Sequence, residues 1–168
     1  MSAYLLSQIL IAIAILFDLA SFQFKDRRKI LCCLCVAGVL ISIHFFLLQQ
    51  YTAFLLMALA VMRYCSSIFT TSKFAMITFI GCSIIATAYT YMGVISIISL
   101  VASSLQTVAA FCHEDKKLRQ LMIVGTSIWL LHNYLVGSPT AVIMEILFLS
   151  SNLLGYYRFY IKGGLQVT

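Results

Sequence analysis

Apolar runs close to membrane-spanning length, separated by turns of only a few residues, fill this chain almost from end to end. A bilayer helix needs roughly 20 mainly apolar residues at about 1.5 Å each. Seven such runs fit, at 3–24, 30–48, 52–70, 74–90, 94–111, 121–136 and 140–160, and little chain is left over. With 62% hydrophobic and 10% charged residues and a mean hydropathy of +1.04, there is too little polar surface to coat a soluble globule of this size. The expected fold class is therefore all-α, a polytopic membrane protein forming one membrane domain over residues 1–168. The opening MSAYLLSQIL has neither the basic stretch nor the small-residue cleavage site of a signal peptide, so the first run is read as a retained span.

Charge placement supplies an orientation. Lys25-Asp26-Arg27-Arg28-Lys29, Lys73, the stretch from His113 to Arg119, and Arg158 with Lys162 all follow odd-numbered runs, whereas the turns around Gln49-Gln50, Met92 and Gly137-Ser138 carry no charge. Basic loops face the cytoplasm, which predicts an outer N-terminus and a cytoplasmic C-terminus. The net charge of +6 sits in these short clusters and not over one folded face, so no nucleic-acid partner is expected. The expected partner is the lipid bilayer. Six cysteines, Cys32, Cys33, Cys35, Cys65, Cys82 and Cys112, lie in or at the ends of apolar runs and read as small packing residues.

Sliding the chain by 88 positions lays the first three runs on the last three. Lys29 falls on Lys117, Asp26 on Glu114, His44 on His132, and Thr52-Ala53 on Thr140-Ala141. Overall identity is low, so the weight rests on the matched loops and the matched histidine. Two three-helix units in the same orientation need an odd number of spans between them, and the fourth run supplies one. The expected plan is a first repeat over 3–73, a linker helix over 74–90 and a second repeat over 91–162. In parallel-repeat transporters the substrate site lies between the units near mid-bilayer.

The segments HFFLLQQYTA, WLLHNYLVGSPTA and MEILFLSSNLLGYYRFY together resemble the YgjV-type bacterial inner-membrane proteins. That family is similar in architecture to the SWEET and PQ-loop transporters, which implies a bacterial inner (plasma) membrane location and a three-one-three helix plan. SWEET-type proteins hinge on prolines in the first two helices of each repeat, whereas Pro139 is the only proline here and lies in a turn. Flexibility would then fall to Gly38, Gly81, Gly125 or Gly155.

Polar groups inside apolar runs are costly and usually face the bundle interior. His132 and Glu145 flank one tight turn and are expected as neighbours, acting either as a proton-sensing gate or as a pin for the hairpin. His44 matches His132 and is expected with it as a gating, proton-sensing residue, but Met57 stands where Glu145 would be, so the pair is not duplicated. A site of two histidines and Glu145 lacks an i, i+4 ligand pair, and neither metal nor cofactor is expected. Asn152 and its counterpart Tyr64 lie on the third helix of each repeat, where the SWEET likeness implies a cavity. With Asn133 and Trp129 they are the expected contacts for a small polar solute, the alternative being interhelical hydrogen bonding. Ser96, Ser99, Ser103 and Gln106 share one helical face and either line a wet path or pack closely. Asp18 and Arg63 are expected as a structural ion pair.

No nucleophile with an adjacent base is visible, and an enzyme is not expected. The functional expectation is a small SWEET-like secondary carrier of a polar solute. The alternative is a non-transporting membrane partner subunit or scaffold.

Overall fold

A computed structural model describes residues 3–47, 51–91, 93–136 and 139–162. The expected turn residues Gln49, Gln50, Met92, Gly137 and Ser138 lie outside these. The described residues form seven α-helices and no strand. These are α1 (Ala3–Ser21), α2 (Arg27–Leu47), α3 (Tyr51–Phe69), α4 (Lys73–Tyr89), α5 (Val94–Ala110), α6 (Asp115–Val136) and α7 (Pro139–Tyr156). A π-helical stretch, Tyr157–Lys162, continues α7.

The expected boundaries move by a few residues for local reasons. Helix α1 stops at Ser21, short of the expected 24, and the carbonyls of Phe22 and Phe24 are taken by Arg119. Helix α6 begins at Asp115, well before its apolar run, because a carboxylate in the first turn complements the helix dipole. Pro139 opens α7, a position where its missing N–H costs nothing. Asp26 accepts the Arg28 N–H at 2.8 Å and starts α2, and the Ser72 hydroxyl accepts the Phe74 N–H at 3.2 Å and starts α4.

Helices α1, α2 and α3 pack in sequence, and so do α5, α6 and α7. The two sets meet where α1 touches α7 and α3 touches α5, and α4 leans on α3 and α5. The main core lies toward the end carrying the basic loops, where Phe22, Ile30, Leu31, Tyr64, Leu118, Met122 and Phe148 are buried together. Phe22 meets Phe148 edge-on at 5.0 Å between ring centroids. A smaller cluster of Ala14, Ala37 and Ile41 carries the packing away from that end.

Taken over the described residues, no helix is long and apolar enough to cross a membrane. The seven-span expectation is therefore not carried by individual helices. The surface nonetheless has the polarity of a protein in an apolar medium: among the described residues Leu16, Phe69, Phe74 and Val94 are exposed, while Asp18, Arg63, Arg119, Asn152 and twelve other polar residues are buried. Exposed apolar surface on this scale needs a partner or a membrane to cover it.

Three of the four glycines expected as hinges lie at close contacts. A Cβ at Gly38 would lie 2.8 Å from the Val61 side chain, and one at Gly125 2.9 Å from Gln106. At Gly155 it would strike the Phe22 carbonyl and the Arg119 guanidinium. These three permit close approach of neighbouring helices, and Gly81 alone of the four has open space around it.

Candidate functional site

Three arginines and one serine hold the seams between the two sets of helices. Arg63, 3% exposed, projects from α3 into α5. Its Nη1 donates to Thr107 Oγ1 at 2.8 Å, to the Ser103 carbonyl at 3.1 Å and to Ser103 Oγ at 3.4 Å. The guanidinium also covers the Tyr64 ring at 4.7 Å. On the other seam Ser151 of α7 donates to the Leu19 carbonyl of α1 at 2.6 Å and accepts from Gln23 Nε2 at 3.2 Å.

Nearer the basic loops, Arg119 of α6 is fully buried and closes the end of α1. It donates to the Phe22 carbonyl at 2.9 Å and to that of Phe24. Phe22 and Phe159 cover it at 5.3 and 5.2 Å. Burial pushes the Arg119 pKa down, and the nearby Asp115 carboxylate opposes that effect. Arg27, at the start of α2, donates to the Ser67 carbonyl at 2.8 Å and to the Ala110 carbonyl at the end of α5. Arg27 and Arg119 thus donate to carbonyls at or just past helix ends, which lack an intrahelical donor.

The expected site residues fall into different places. Asn152 is fully buried and donates from Nδ2 to the Arg119 carbonyl at 3.0 Å. Tyr64, 7% exposed, belongs to the main core. Neither lines the two cavities described below. Asp18 is buried, but it forms no ion pair with Arg63, whose Nη1 bonds to α5 while its Nε has no hydrogen-bond partner. The ion pair found among the described residues is Lys117–Glu114, exposed, at 3.0 Å. His44 lies against α1, with Nδ1 3.0 Å from the Ser7 carbonyl. Ser99 and Ser103 are buried, and Gln106 packs where Gly125 leaves room, so the polar face of α5 serves close packing.

Four of the expected residues do come together, at the end opposite the basic loops. Trp129 meets His132 edge-on at 5.1 Å. His132 Nδ1 lies 3.3 Å from Asn133 Oδ1, and Asn133 Nδ2 donates to Glu145 Oε1 at 3.4 Å. Asn133 therefore stands between the histidine and the carboxylate that were expected to touch. An amide in that place can accept from one ring N–H and donate to the carboxylate at once. No group of three or more metal-ligating side chains occurs among the described residues.

Two cavities open on the seams. A shallow groove of about 400 Å³ runs along the α1·α7 seam between Leu19, Gln23, Ser150, Ser151 and Leu154. A smaller, polar cavity of about 240 Å³ lies beside Arg27 at the basic end of α3. Arg27, Arg119, Ser151, Gln23 and Thr107 were missed by reading polar residues for depth alone. For Ser151 and Thr107 a signal was present, since the 88-position shift lays them on Arg63 and Leu19, whereas Arg27, Arg119 and Gln23 fall on Asp115, Leu31 and Phe111 and carry no such mark.

A family model described as bacterial inner membrane protein, Imp-YgjV, matches residues 5–162. A relative from Escherichia coli (strain K12), "Inner membrane protein YgjV", is 29% identical over 160 residues, covering 95% of this chain and 87% of its own length. No solved structure matches. The family model takes in all of the seam and cluster residues described above, and the relative aligns with nearly the whole chain, so the chain belongs to the YgjV family of bacterial inner membrane proteins.

Proposed function

We propose that this chain is a seven-span carrier in which a small polar solute passes between two three-helix units, 3–73 and 91–162, joined by the linker helix 74–90. The observation that carries the reading is the agreement between the two seams. Arg63 bonds Thr107 on one seam and Ser151 bonds Leu19 on the other. Arg63 and Ser151 stand 88 positions apart, and so do Leu19 and Thr107. The carbonyls of Phe22 and Ala110, which receive Arg119 and Arg27, are separated by the same interval. Ser67, the second anchor of Arg27, matches Gly155, which lies against Arg119.

Contacts repeated at matching positions are what a pseudo-twofold axis along the membrane normal produces, as in parallel-repeat transporters. Packing within each unit is far more extensive than packing between them. Two bodies held by a few polar bonds at one end can exchange those bonds and rock. The seam bonds would then form the inner closure, and Trp129, His132, Asn133 and Glu145 the outer polar contact for solute.

One observation favours the alternative, a membrane partner subunit or scaffold. Asn152 and Tyr64 are buried and line neither the α1·α7 groove nor the cavity beside Arg27. Distance measurement across the groove separates the readings without knowledge of the solute. Spin labels at Leu16→Cys and Leu154→Cys, in a background without the native cysteines, report the spacing of α1 and α7 in lipid. A carrier gives two populations whose ratio shifts among small polar solutes or pH values. A single narrow distance throughout would leave the scaffold reading standing and remove the carrier.

A further inference from the structure

The polar cavity beside Arg27 serves none of the roles above. It holds about 240 Å³ and is lined in part by Arg27, Arg28, Ser67, Thr70, Thr71 and His113. That volume is below the roughly 300–1,000 Å³ of drug-sized ligand sites, and it suits a compact polar group.

The donor set is cationic and hydroxylic. Arg27 commits one terminal nitrogen to the Ser67 and Ala110 carbonyls, and its Nε has no hydrogen-bond partner. Arg28 is exposed. The Thr70 hydroxyl accepts the Ser72 N–H at 3.1 Å, which leaves its own proton to donate. Thr71 Oγ1 lies 2.9 Å from His113 Nε2, which ties the end of α3 to the loop before α6. The neighbouring carboxylates are already engaged, Asp26 with the Arg28 N–H and Glu114 with Lys117. Lys25 and Lys29 add further positive charge at the same end.

Arg119, at the matching seam, is covered by Phe22 and Phe159 and has no exposure. Arg27 is only partly buried and opens on a polar cavity. One arginine is sealed by aromatic rings, and the other is left toward the basic surface of the bundle. Basic cavities between helices at the cytoplasmic membrane surface recognise phosphate-bearing head groups.

We infer that this cavity binds a phosphate group, carried by an anionic lipid head group or by a free phosphate anion at the same surface. Arg27 and Arg28 supply charge-assisted hydrogen bonds, and Thr70, Thr71 and His113 complete the donor set. A phosphate held there adds a bridge across the α3·α5 seam.

The test is native mass spectrometry of the full-length protein equilibrated with equal amounts of phosphatidylglycerol and phosphatidylcholine. The wild type is expected to keep one phosphatidylglycerol in preference by about fivefold or more, and Arg28→Gln with His113→Gln to lose that preference. Lys162→Gln, which removes one charge elsewhere, should retain it. Arg28, His113 and Lys162 are all exposed, so unchanged melting of the variants is expected and serves as the folding check. Displacement by millimolar inorganic phosphate identifies a site that accepts either source, whereas retention of the lipid in phosphate identifies a head-group site. No preference in the wild type, or equal loss in Lys162→Gln, overturns the proposal in favour of diffuse surface charge.

Discussion

A methyl group at Gly155 has nowhere to go. Its Cβ would meet the Phe22 carbonyl and the Arg119 guanidinium, both held by a hydrogen bond to each other. Backbone at the end of α1 yields poorly, so Gly155→Ala should cost about 1–3 kcal/mol and lower the melting temperature by several degrees. Gly81→Ala meets nothing within 4 Å and should be neutral or stabilising by up to about 1 kcal/mol through its better helix propensity. Melting the two variants side by side in one detergent checks this, and equal losses would refute the close-approach role of Gly155. A second residue-scale expectation concerns Cys112, in the loop between α5 and α6. Burial pushes its thiol pKa above the ordinary value, with Lys117 and Arg27 pulling it down and Glu114 pushing it up. A raised pKa means less thiolate at neutral pH, so alkylation of Cys112 should lag a free cysteine and keep accelerating to higher pH. Glu114→Gln should speed it and Lys117→Gln should slow it, as followed by mass spectrometry of the labelled protein in a variant lacking the other cysteines.

Among the elements, the two seams are built on one plan with unequal side chains. Arg63 gives α3 a charged, multiply bonded hold on α5, while Ser151 gives α7 a neutral hydroxyl on α1. Hydrogen bonds from charged groups contribute about 1.5–3 kcal/mol, and neutral interhelical ones in membranes average about 0.6 and reach about 1.7. Arg63→Met should therefore destabilise more than Ser151→Ala. A double-mutant cycle of Arg63→Met with Thr107→Val should give a coupling of about 0.5–3 kcal/mol, and additive losses would show that the bond carries nothing. The elements themselves were legible in the sequence, because apolar run length and uncharged turns place helices to within a few residues of where they fold. The seam partners were harder to read. Depth from the nearest turn put Asp18 and Arg63 on one level, but depth says nothing of which way a side chain faces, and Arg63 turns to α5 instead. For Asn152 the sequence left solute contact and interhelical bonding open, and its Nδ2 makes a bond of the second kind, to the Arg119 carbonyl of α6. The cluster at the far end was nearly legible: the turn brings His132 and Glu145 together, and only the intervening reach of Asn133 escaped a reading by spacing.

For the whole molecule, the distribution of polarity decides the environment and leaves one property to be measured, the direction of insertion. Exposed Leu16, Phe69, Phe74 and Val94 and a buried interior of arginines and hydroxyls describe a protein whose surface needs a membrane or a partner to cover it, in keeping with its inner-membrane family. The basic residues gather at one end of the bundle, in the loop 25–29 and in the stretch 113–119, and the opposite turns are uncharged. Retention of basic loops in the cytoplasm is a bias set during insertion, and it acts on short loops such as these. A cysteine replacing Lys25 should therefore be shielded from a membrane-impermeant maleimide added to intact cells and react once the membrane is opened. A cysteine replacing Tyr91, which is 59% exposed in the turn before α5, should react from outside. Because one inversion would exchange the two results, labelling of the Lys25 position in intact cells would reverse the orientation and carry the Arg27 cavity to the outer face.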